Sequence, residues 1–254
     1  GRMENTAVGA SAGGSLTTGV RSVFVGNGAG VAVTTGGYST MVGWRAGYST
    51  TTGNSNTFLG NYAGNTNITG YSNVSIGVEA MYGGTVAHSN VAVGNGALYN
   101  IGKTAAAGNS VGVGIGAGKY ATGSYNTFVG ADAGKGGTTS APYSSTGGSN
   151  VAIGYQAADA ITTAVENLAI GRGALGSATT QNRNIAMGYF SAANLTGASA
   201  EFNVFIGDYT GQGGSGNLKR SVAVGYQVLQ STAGNDVDGA IGIGYQALHD
   251  VTSG

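Results

Sequence analysis

Cysteine is absent from this chain, proline occurs once, and charged residues make up only 8% of its 254 residues. Without cysteine, neither disulfide bonds nor thiol chemistry is available. Ten basic and ten acidic residues are scattered singly and give a net charge of zero. Because no basic patch could follow a phosphate backbone, we expect no nucleic-acid partner. No apolar run approaches the roughly 20 residues of a membrane-spanning helix, so we expect no membrane insertion.

Glycine, in contrast, is abundant, with 51 residues. It does not recur at every third position, which excludes a collagen triple helix. Each glycine inside a helix costs about 1 kcal/mol, whereas the many Val, Ile, Thr and Tyr residues favour strands. The composition therefore indicates an all-β protein.

A short motif recurs along the chain, in which an aliphatic residue is followed by a glycine that we call the anchor glycine. Fourteen copies cover nearly the whole chain; the first five intervals are 17 residues, and later ones reach 20, 24 or 19. The anchor glycines are Gly9, Gly26, Gly43, Gly60, Gly77, Gly94, Gly114, Gly130, Gly154, Gly171, Gly188, Gly207, Gly225 and Gly244.

Several positions keep their character relative to the anchor glycine. The flanking strand positions, one and three residues before it, hold aliphatic residues or Thr in every copy. The ladder position, four before it, holds Asn in nine copies and Ser in four, and Ala240 is the only departure. Three residues after the anchor, eleven of fourteen residues are Ala.

This pattern predicts a parallel β-solenoid in which each repeat forms one coil and the stacked coils build a continuous core. We expect one solenoid over residues 1–254, with about 14 coils of mostly 17 residues. The anchor glycine allows a tight corner, and stacked Asn side chains form a hydrogen-bonded ladder. The rest of each coil, such as residues 65–72, is predicted to be a second, outer strand plus a turn. Residues 135–149 are a loop insertion, which is either a binding loop or a passive one.

The middle strand position, two before the anchor glycine, lies between the flanking positions and is predicted to point away from the coil interior. It holds no charged residue and no amide, unlike a solvent-facing column. Such a long apolar stripe indicates a covered surface. The simplest cover is another copy of the chain, and we expect a parallel homotrimer; a monomer with a small-residue face is the alternative. Residues predicted near the trimer axis are Phe24, Phe58, Phe128 and Phe205.

Five stretches carry a specific resemblance: "NVAVGNGAL" (90–98), "NVAIGYQAA" (150–158), "NLAIGRGAL" (167–175), "SVAVGYQVL" (221–229) and "AIGIGYQAL" (240–248). They resemble the repeats of YadA-like heads of trimeric autotransporter adhesins, and similar runs occur in trimeric tail fibres of bacteriophages. The resemblance implies a left-handed parallel β-roll, three chains about one axis and a role in attachment. The repeats here are longer than is typical of adhesin heads, and this sequence contains no charged neck, coiled-coil stalk or membrane anchor. A phage tail fibre is therefore the favoured expectation over the head of a bacterial adhesin.

Catalytic chemistry finds little support in the sequence. A glycosidase needs two facing carboxylates, and the best candidates, Asp159 and Glu166, flank one loop. The two histidines, His88 and His249, lie in different coils. We therefore expect no enzyme activity and no cofactor.

A cation site is the other candidate chemistry. Asp236 and Asp238 stand two residues apart in a loop. A solvated turn is the favoured interpretation over a weak cation site, so we expect no metal. The run "VGVGIGAG" (111–118) has spacings like a nucleotide-binding loop, but it lies inside a repeat with no βαβ unit around it.

Aromatic residues directly after the anchor glycine are candidate surface contacts. Asn27, Arg172 and Asp208 share their column, so this corner is predicted to be partly exposed. Exposed rings bind sugars or protein partners; the favoured alternative is that they stack on each other and stabilise the solenoid. The candidates are Trp44, Tyr155, Tyr189, Tyr226 and Tyr245.

Together these features predict a segment of an extracellular, trimeric fibre, most simply a phage tail fibre that presents a surface for a cell-surface receptor or glycan. The head of a bacterial trimeric adhesin is one alternative. The repeated "TTG" at residues 17–19, 34–36 and 51–53 suggests another, a flat threonine array that binds ice or a polysaccharide surface.

Overall fold

A computed structural model of the chain describes residues 4–103, 107–137, 145–213, 216–232 and 234–251. They form an all-β parallel solenoid of about 13 turns, with one three-residue strand before each anchor glycine. The chain divides into two compact units, residues 1–125 and residues 126–254. Within the described ranges, no helix has the length and apolarity to cross a membrane.

The first unit contains seven strands paired in parallel in chain order. Their register places each anchor-glycine repeat directly beside the next, so that Thr57 pairs with Val74 and Leu59 with Ile76. The strands are β1 (Thr6–Val8), β2 (Val23–Val25), β3 (Thr40–Val42), β4 (Thr57–Leu59), β5 (Val74–Ile76), β6 (Val91–Val93) and β7 (Val111–Val113).

The second unit repeats this arrangement and adds a small second sheet. Its main strands again pair in parallel with matched register, and β13 pairs with β15 in the second sheet. The strands are β8 (Thr127–Val129), β9 (Val151–Ile153), β10 (Leu168–Ile170), β11 (Ile185–Met187), β12 (Val204–Ile206), β13 (Leu218–Lys219), β14 (Val222–Val224), β15 (Val237–Asp238) and β16 (Ile241–Ile243).

The predicted outer strand in every coil is wrong for most of the described chain, where the residues between the main strands form turns. Residues with a left-handed backbone conformation recur in these connections and interrupt extended backbone. They lie at the fifth position before the anchor glycine and at the second and fourth positions after it. Backbone hydrogen bonds still join successive coils through the turns. For example, the N–H of Thr34 donates to the carbonyl of Thr51 at 3.0 Å.

The anchor glycine is invariant because its backbone conformation excludes a side chain. Anchor φ values lie between +123° and +137°, a region that is essentially restricted to glycine. A Cβ on Gly94 would also lie 2.5 Å from the carbonyl oxygen of Gly114. The other left-handed positions have φ near +55°, which side chains tolerate at a cost of about 1–2 kcal/mol. Those positions therefore vary in residue type while the anchor does not.

The predicted asparagine ladder is confirmed. The backbone N–H and the side-chain Nδ2 of Asn73 donate to Oδ1 of Asn56 at 3.0 and 3.1 Å. Nδ2 of Asn73 also donates to the carbonyl of Ala87 at 2.8 Å. Serine continues the ladder with one bond, since the N–H of Asn56 donates to Oγ of Ser39 at 3.1 Å. These side chains are buried, so each bond replaces contact with water.

The middle strand position points into the coil, so the prediction that it faces outward is wrong. Each of the four phenylalanines is at most 1% exposed within the single chain. They therefore form part of the chain's own core and are not free to pack around an axis between chains. This correction applies to all four residues predicted near the trimer axis, Phe24, Phe58, Phe128 and Phe205.

Paired residue sizes explain why this column fits inside. A Cβ on Gly64, four after its anchor, would lie 2.6 Å from the ring of Phe58 in the same coil. In several repeats with a small residue at the middle strand position, such as Ala92, the position four after the anchor is large, as at Leu98, and both are buried. No repeat carries a large side chain at both positions, and the flanking strand positions face outward.

Candidate binding surfaces

The flanking strand positions form an apolar outward face on each unit. Ile153 and Ile206 are 39% and 40% exposed. No flanking position of any repeat carries a charged residue, and those that are not aliphatic are Thr. A continuous apolar sheet surface of this kind is unusual on an isolated soluble protein.

Aromatic rings line the corner of the first unit. Trp44 is exposed, and its ring lies edge-on to that of Tyr62 with centroids 4.6 Å apart. The row continues from Tyr62 to Tyr82 at 5.8 Å and from Tyr82 to Tyr99 at 5.1 Å, where the rings are stacked. The guanidinium of Arg45 lies 5.1 Å from the Trp44 ring centroid. Trp44 therefore belongs to a self-contacting row of rings.

The predicted aromatic residues of the second unit are exposed and also contact their neighbours. The Arg172 guanidinium lies 5.5 Å from the ring centroid of Tyr155 and 5.7 Å from that of Tyr189. The rings of Tyr226 and Tyr245 stack at 5.6 Å. These contacts agree with the mutual-stacking interpretation, while a binding role for the five rings stays a prediction.

A groove of about 620 Å³ runs along four coils of the second unit. Its residues lie two, five and six positions after the anchor glycines Gly154, Gly171, Gly188 and Gly207. We call this surface the groove. Its lining residues are Gln156, Asp159, Ala160, Gly173, Gly176, Ser177, Phe190, Ala193, Asn194, Tyr209 and Gln212.

Polar side chains in the groove are held in place. Nδ2 of Asn194 donates to Oε1 of Gln212 at 2.9 Å, and Nε2 of Gln212 donates to the carbonyl of Phe190. Burial raises the pKa of the Asp159 carboxyl above its ordinary value, and its own backbone N–H and Lys135 offset this rise only in part. The groove therefore presents a carboxyl group and a fixed amide pair.

A second cavity of about 380 Å³ lies against Asp159 and Ala160, which also line the groove. Lys135, Thr162 and Thr179 are among its other lining residues. Nζ of Lys135 forms an ion pair with Asp132 at 3.3 Å. Of the loop insertion predicted at residues 135–149, residues 138–144 lie outside the described residues.

The carboxylates considered for catalysis are not brought together. Glu166 accepts a hydrogen bond from Nε of Arg183 at 2.6 Å and does not line the groove with Asp159. His88 stacks on Tyr71 with centroids 5.3 Å apart. The sequence candidates for an acid pair or a triad therefore have separate partners.

The two loop aspartates also have protein partners. Oδ1 of Asp236 accepts hydrogen bonds from the backbone N–H and Nδ2 of Asn217, both at 2.9 Å. The carboxylate of Asp238 pairs with Arg220. Among the described ranges, no group of three or more His, Cys, Asp or Glu side chains is placed to hold a metal ion.

The threonine column of the first unit is tied to the backbone of the next coil. Oγ1 of Thr17 donates to the carbonyl of Thr34 at 3.0 Å, and Oγ1 of Thr34 donates to the carbonyl of Thr51 at 3.3 Å. Each of these hydroxyl protons therefore has a protein acceptor.

The sequence predictions missed the groove, although a signal was present. Five residues after the anchor glycine, the first unit has Tyr48, Tyr82 and Tyr99. The four groove coils of the second unit have no ring there, and Gly176 and Ala193 lie between Asp159 and Gln212 in this column. A switch from rings to small residues in one column predicts an open trough. Comparison of the chain with protein-family models and with curated proteins gives no match.

Proposed function

We propose that this chain is a segment of an extracellular fibre in which three parallel copies cover one another's outward faces. The single observation that supports it is the outward face itself, an uncharged column of Val, Ile, Leu, Met and Thr on either side of the inward column. Apolar surface gains roughly 25 cal/mol per Å² when it leaves water. A partner with the same face therefore stabilises every coil it covers.

The partner is a second copy in parallel register because the face repeats with the coil. Parallel chains of the same sequence place an aliphatic residue opposite an aliphatic residue at every level. Closed symmetry then limits the assembly and leaves no apolar face open. The number three comes from the resemblance of the repeats to trimeric adhesin heads and tail fibres.

We further propose that the fibre serves attachment, as part of a phage tail fibre that presents a receptor-binding surface. Three parallel copies hold three identical surfaces close together, so weak single contacts combine into high avidity. The head of a bacterial trimeric adhesin has the same physical basis. Identifying the domain encoded beside this segment, a tail-attachment domain or a membrane anchor, distinguishes the two.

Light scattering after size-exclusion chromatography tests the assembly. We expect a mass of three times the 24.7 kDa chain. Replacing Ile206 by Lys places a charge on the outward face and is expected to give monomers. The matched control is Ile68→Lys, since Ile68 is 41% exposed but lies outside the flanking strand positions. A wild-type monomer, or equal effects of the two substitutions, contradicts the proposal.

Binding of the fluorescently labelled chain to whole bacterial cells tests attachment. We expect saturable labelling of some strains by the wild-type assembly and at least tenfold weaker labelling by the Ile206→Lys monomer. Labelling that is equal for the assembly and the monomer contradicts the avidity part of the proposal.

A further inference from the structure

We infer that the groove of the second unit binds a neutral oligosaccharide. The groove extends over four coils, which corresponds to about 14 Å between the first and the last at the usual strand spacing. Its volume of about 620 Å³ lies in the range of small-ligand sites. A trough of this length and width accommodates two or three sugar rings.

Small residues give the groove its depth. Gly173, Gly176 and Ala193 are among its smallest lining residues, and the backbone there is hydrogen bonded between coils, as from the N–H of Ser177 to the carbonyl of Ala193 at 2.9 Å. No backbone row is therefore left open for an added strand, and this disfavours an extended peptide as ligand.

The first unit shows which shape fits such a trough. Tyr82 and Tyr99 occupy the fifth position after their anchor glycines, and their rings stack on each other with centroids 5.1 Å apart. Tyr82 also contacts Tyr62 from the second position at 5.8 Å. The fifth-position column holds Gly176 and Ala193 in the groove. A flat ring supplied by a ligand occupies the space that tyrosine rings fill in the first unit.

Two aromatic rings of the groove offer apolar surface to a sugar ring, and that of Phe190 is also contacted by Tyr189 at 4.6 Å and by the Arg172 guanidinium at 5.8 Å between centres. The rings of Phe190 and Tyr209 lie nearly parallel, 12° apart, with centroids separated by 6.2 Å. Both are partly exposed and line the groove. The C–H face of a pyranose packs against aromatic faces, where the rings offer apolar area with a polar edge.

Polar groups stand where sugar hydroxyls need partners. Oδ1 of Asp159 lies 3.6 Å from the position of a Cβ on Gly176, so the carboxyl group extends over the groove. The paired amides of Asn194 and Gln212 line another part, and Gln156 is a third amide. Carboxyl and amide groups both bind vicinal hydroxyls with directional hydrogen bonds.

The charge of the groove selects a neutral ligand. Asp159 is the one ionisable carboxylate among its lining residues, and neither Lys nor Arg lines it. A phosphate, sulfate or uronate group in the groove would meet this carboxylate. Two cations lie beside the groove and are not among its lining residues: Arg172 lies 5.8 Å from the ring centroid of Phe190, and Lys135 lines the adjoining cavity and pairs with Asp132. The adjoining cavity beside Thr162 and Thr179 extends the polar surface for a further sugar residue.

This inference deepens the attachment proposal but does not need the trimer, because every lining residue comes from one chain. Titration calorimetry and saturation-transfer NMR with maltotriose, cellotriose, mannotriose and chitotriose test it, with an oligogalacturonate as the anionic probe. We expect at least one neutral probe to bind and the anionic probe to bind at least tenfold more weakly.

Three variants locate the site. Ala193→Tyr introduces the ring that the fifth position carries at Tyr82 and is expected to abolish binding. Tyr209→Ala is expected to weaken binding at least tenfold, and Asp159→Asn to weaken it severalfold. The matched control is Tyr62→Ala, which removes a ring from the same column of the first unit and leaves binding unchanged. Circular dichroism confirms that each variant is folded.

Absence of binding by all four neutral probes, tighter binding of the anionic probe, or unchanged binding by Ala193→Tyr and Tyr209→Ala overturns the inference. Light scattering on the same samples separates it from the fibre proposal. A trimer without sugar binding contradicts only the groove inference, and a sugar-binding monomer contradicts only the trimeric fibre.

Discussion

Oδ1 of Asn56 accepts two hydrogen bonds from Asn73 in the next coil, one from the backbone N–H at 3.0 Å and one from the side-chain amide at 3.1 Å. Asn90 makes the same two bonds to Oδ1 of Asn73, both at 3.1 Å. Asn73 is fully buried. The ladder thus links each coil to both neighbours in a setting where lost partners are not replaced by water.

Removing one member of the ladder is expected to destabilise the first unit. Asn73→Ala leaves the two donors of Asn90 without their acceptor, and we expect it to lower the free energy of unfolding by about 2–4 kcal/mol. Asn73→Ser is the matched control, because Ser39 shows that a hydroxyl can accept the next backbone N–H. It should cost clearly less. Urea unfolding followed by circular dichroism measures both, and equal losses would contradict the ladder.

Two glycines in one coil are expected to differ in their tolerance of a methyl group. Gly94 has φ +133° and a Cβ position 2.5 Å from the carbonyl oxygen of Gly114, whereas Gly96 has φ +61° and nothing nearer than the Lys119 side chain at 4.0 Å. Gly96→Ala should cost about 1–2 kcal/mol, the ordinary left-handed penalty. Gly94→Ala should cost several times that or prevent folding. Similar unfolding free energies for the two variants would show that the corner is not constrained as described.

The size relation between Phe58 and Gly64 predicts compensation between two substitutions. Phe58→Ala leaves a cavity and should cost about 3–5 kcal/mol. Gly64→Leu alone clashes with the ring of Phe58, since even a Cβ there would lie 2.6 Å from it. The double variant recreates the Ala92 and Leu98 arrangement and should be more stable than either single variant. A double-mutant cycle measures this coupling, and simple additivity would contradict the inward orientation of Phe58.

Asp159 is expected to make stability depend on pH in the direction opposite to that of a salt-bridged carboxylate. Burial raises the pKa of its carboxyl in the folded state, so the folded chain binds more protons than the unfolded chain between the ordinary pKa of about 3.9 and the raised value. The free energy of unfolding therefore falls as pH rises through that window. Asp159→Asn should remove this fall. Thermal melting from pH 3 to pH 7 compares the wild-type chain with Asp159→Asn, and identical pH profiles of the two melting temperatures would contradict the effect of burial.

The repeat could be predicted from sequence because backbone constraints show directly as residue types. Because the anchor conformation is open only to glycine, every repeat has glycine there, as at Gly60 and Gly94. Because the ladder is buried, Asn recurs four residues before the anchor glycine. Orientation could not be predicted in the same way. Alternation distinguishes two faces of a strand without saying which is inside. The aliphatic residues predict the wrong face, because Phe58 and Ala92 occupy the core.

Better evidence for orientation lay in pairs of positions rather than in single columns. When the residue two positions before the anchor glycine is large, the residue four positions after the anchor is glycine, as with Phe205 and Gly211. A Cβ added to Gly211 would lie 2.2 Å from the ring of Phe205. The groove escaped prediction for a related reason. It depends on what Gly176 and Ala193 lack, which no single motif marks and which is visible only when their column is compared between the two units.

Thiol cross-linking tests most directly whether sister chains cover the outward face. The chain has no cysteine, so Val93→Cys on the outward face and Tyr71→Cys on an exposed turn each introduce a single thiol. At micromolar concentration, a short bismaleimide should join Val93→Cys chains into covalent dimers within minutes and leave Tyr71→Cys chains uncoupled. Uncoupled Val93→Cys chains, or equal coupling at both sites, would contradict the parallel assembly.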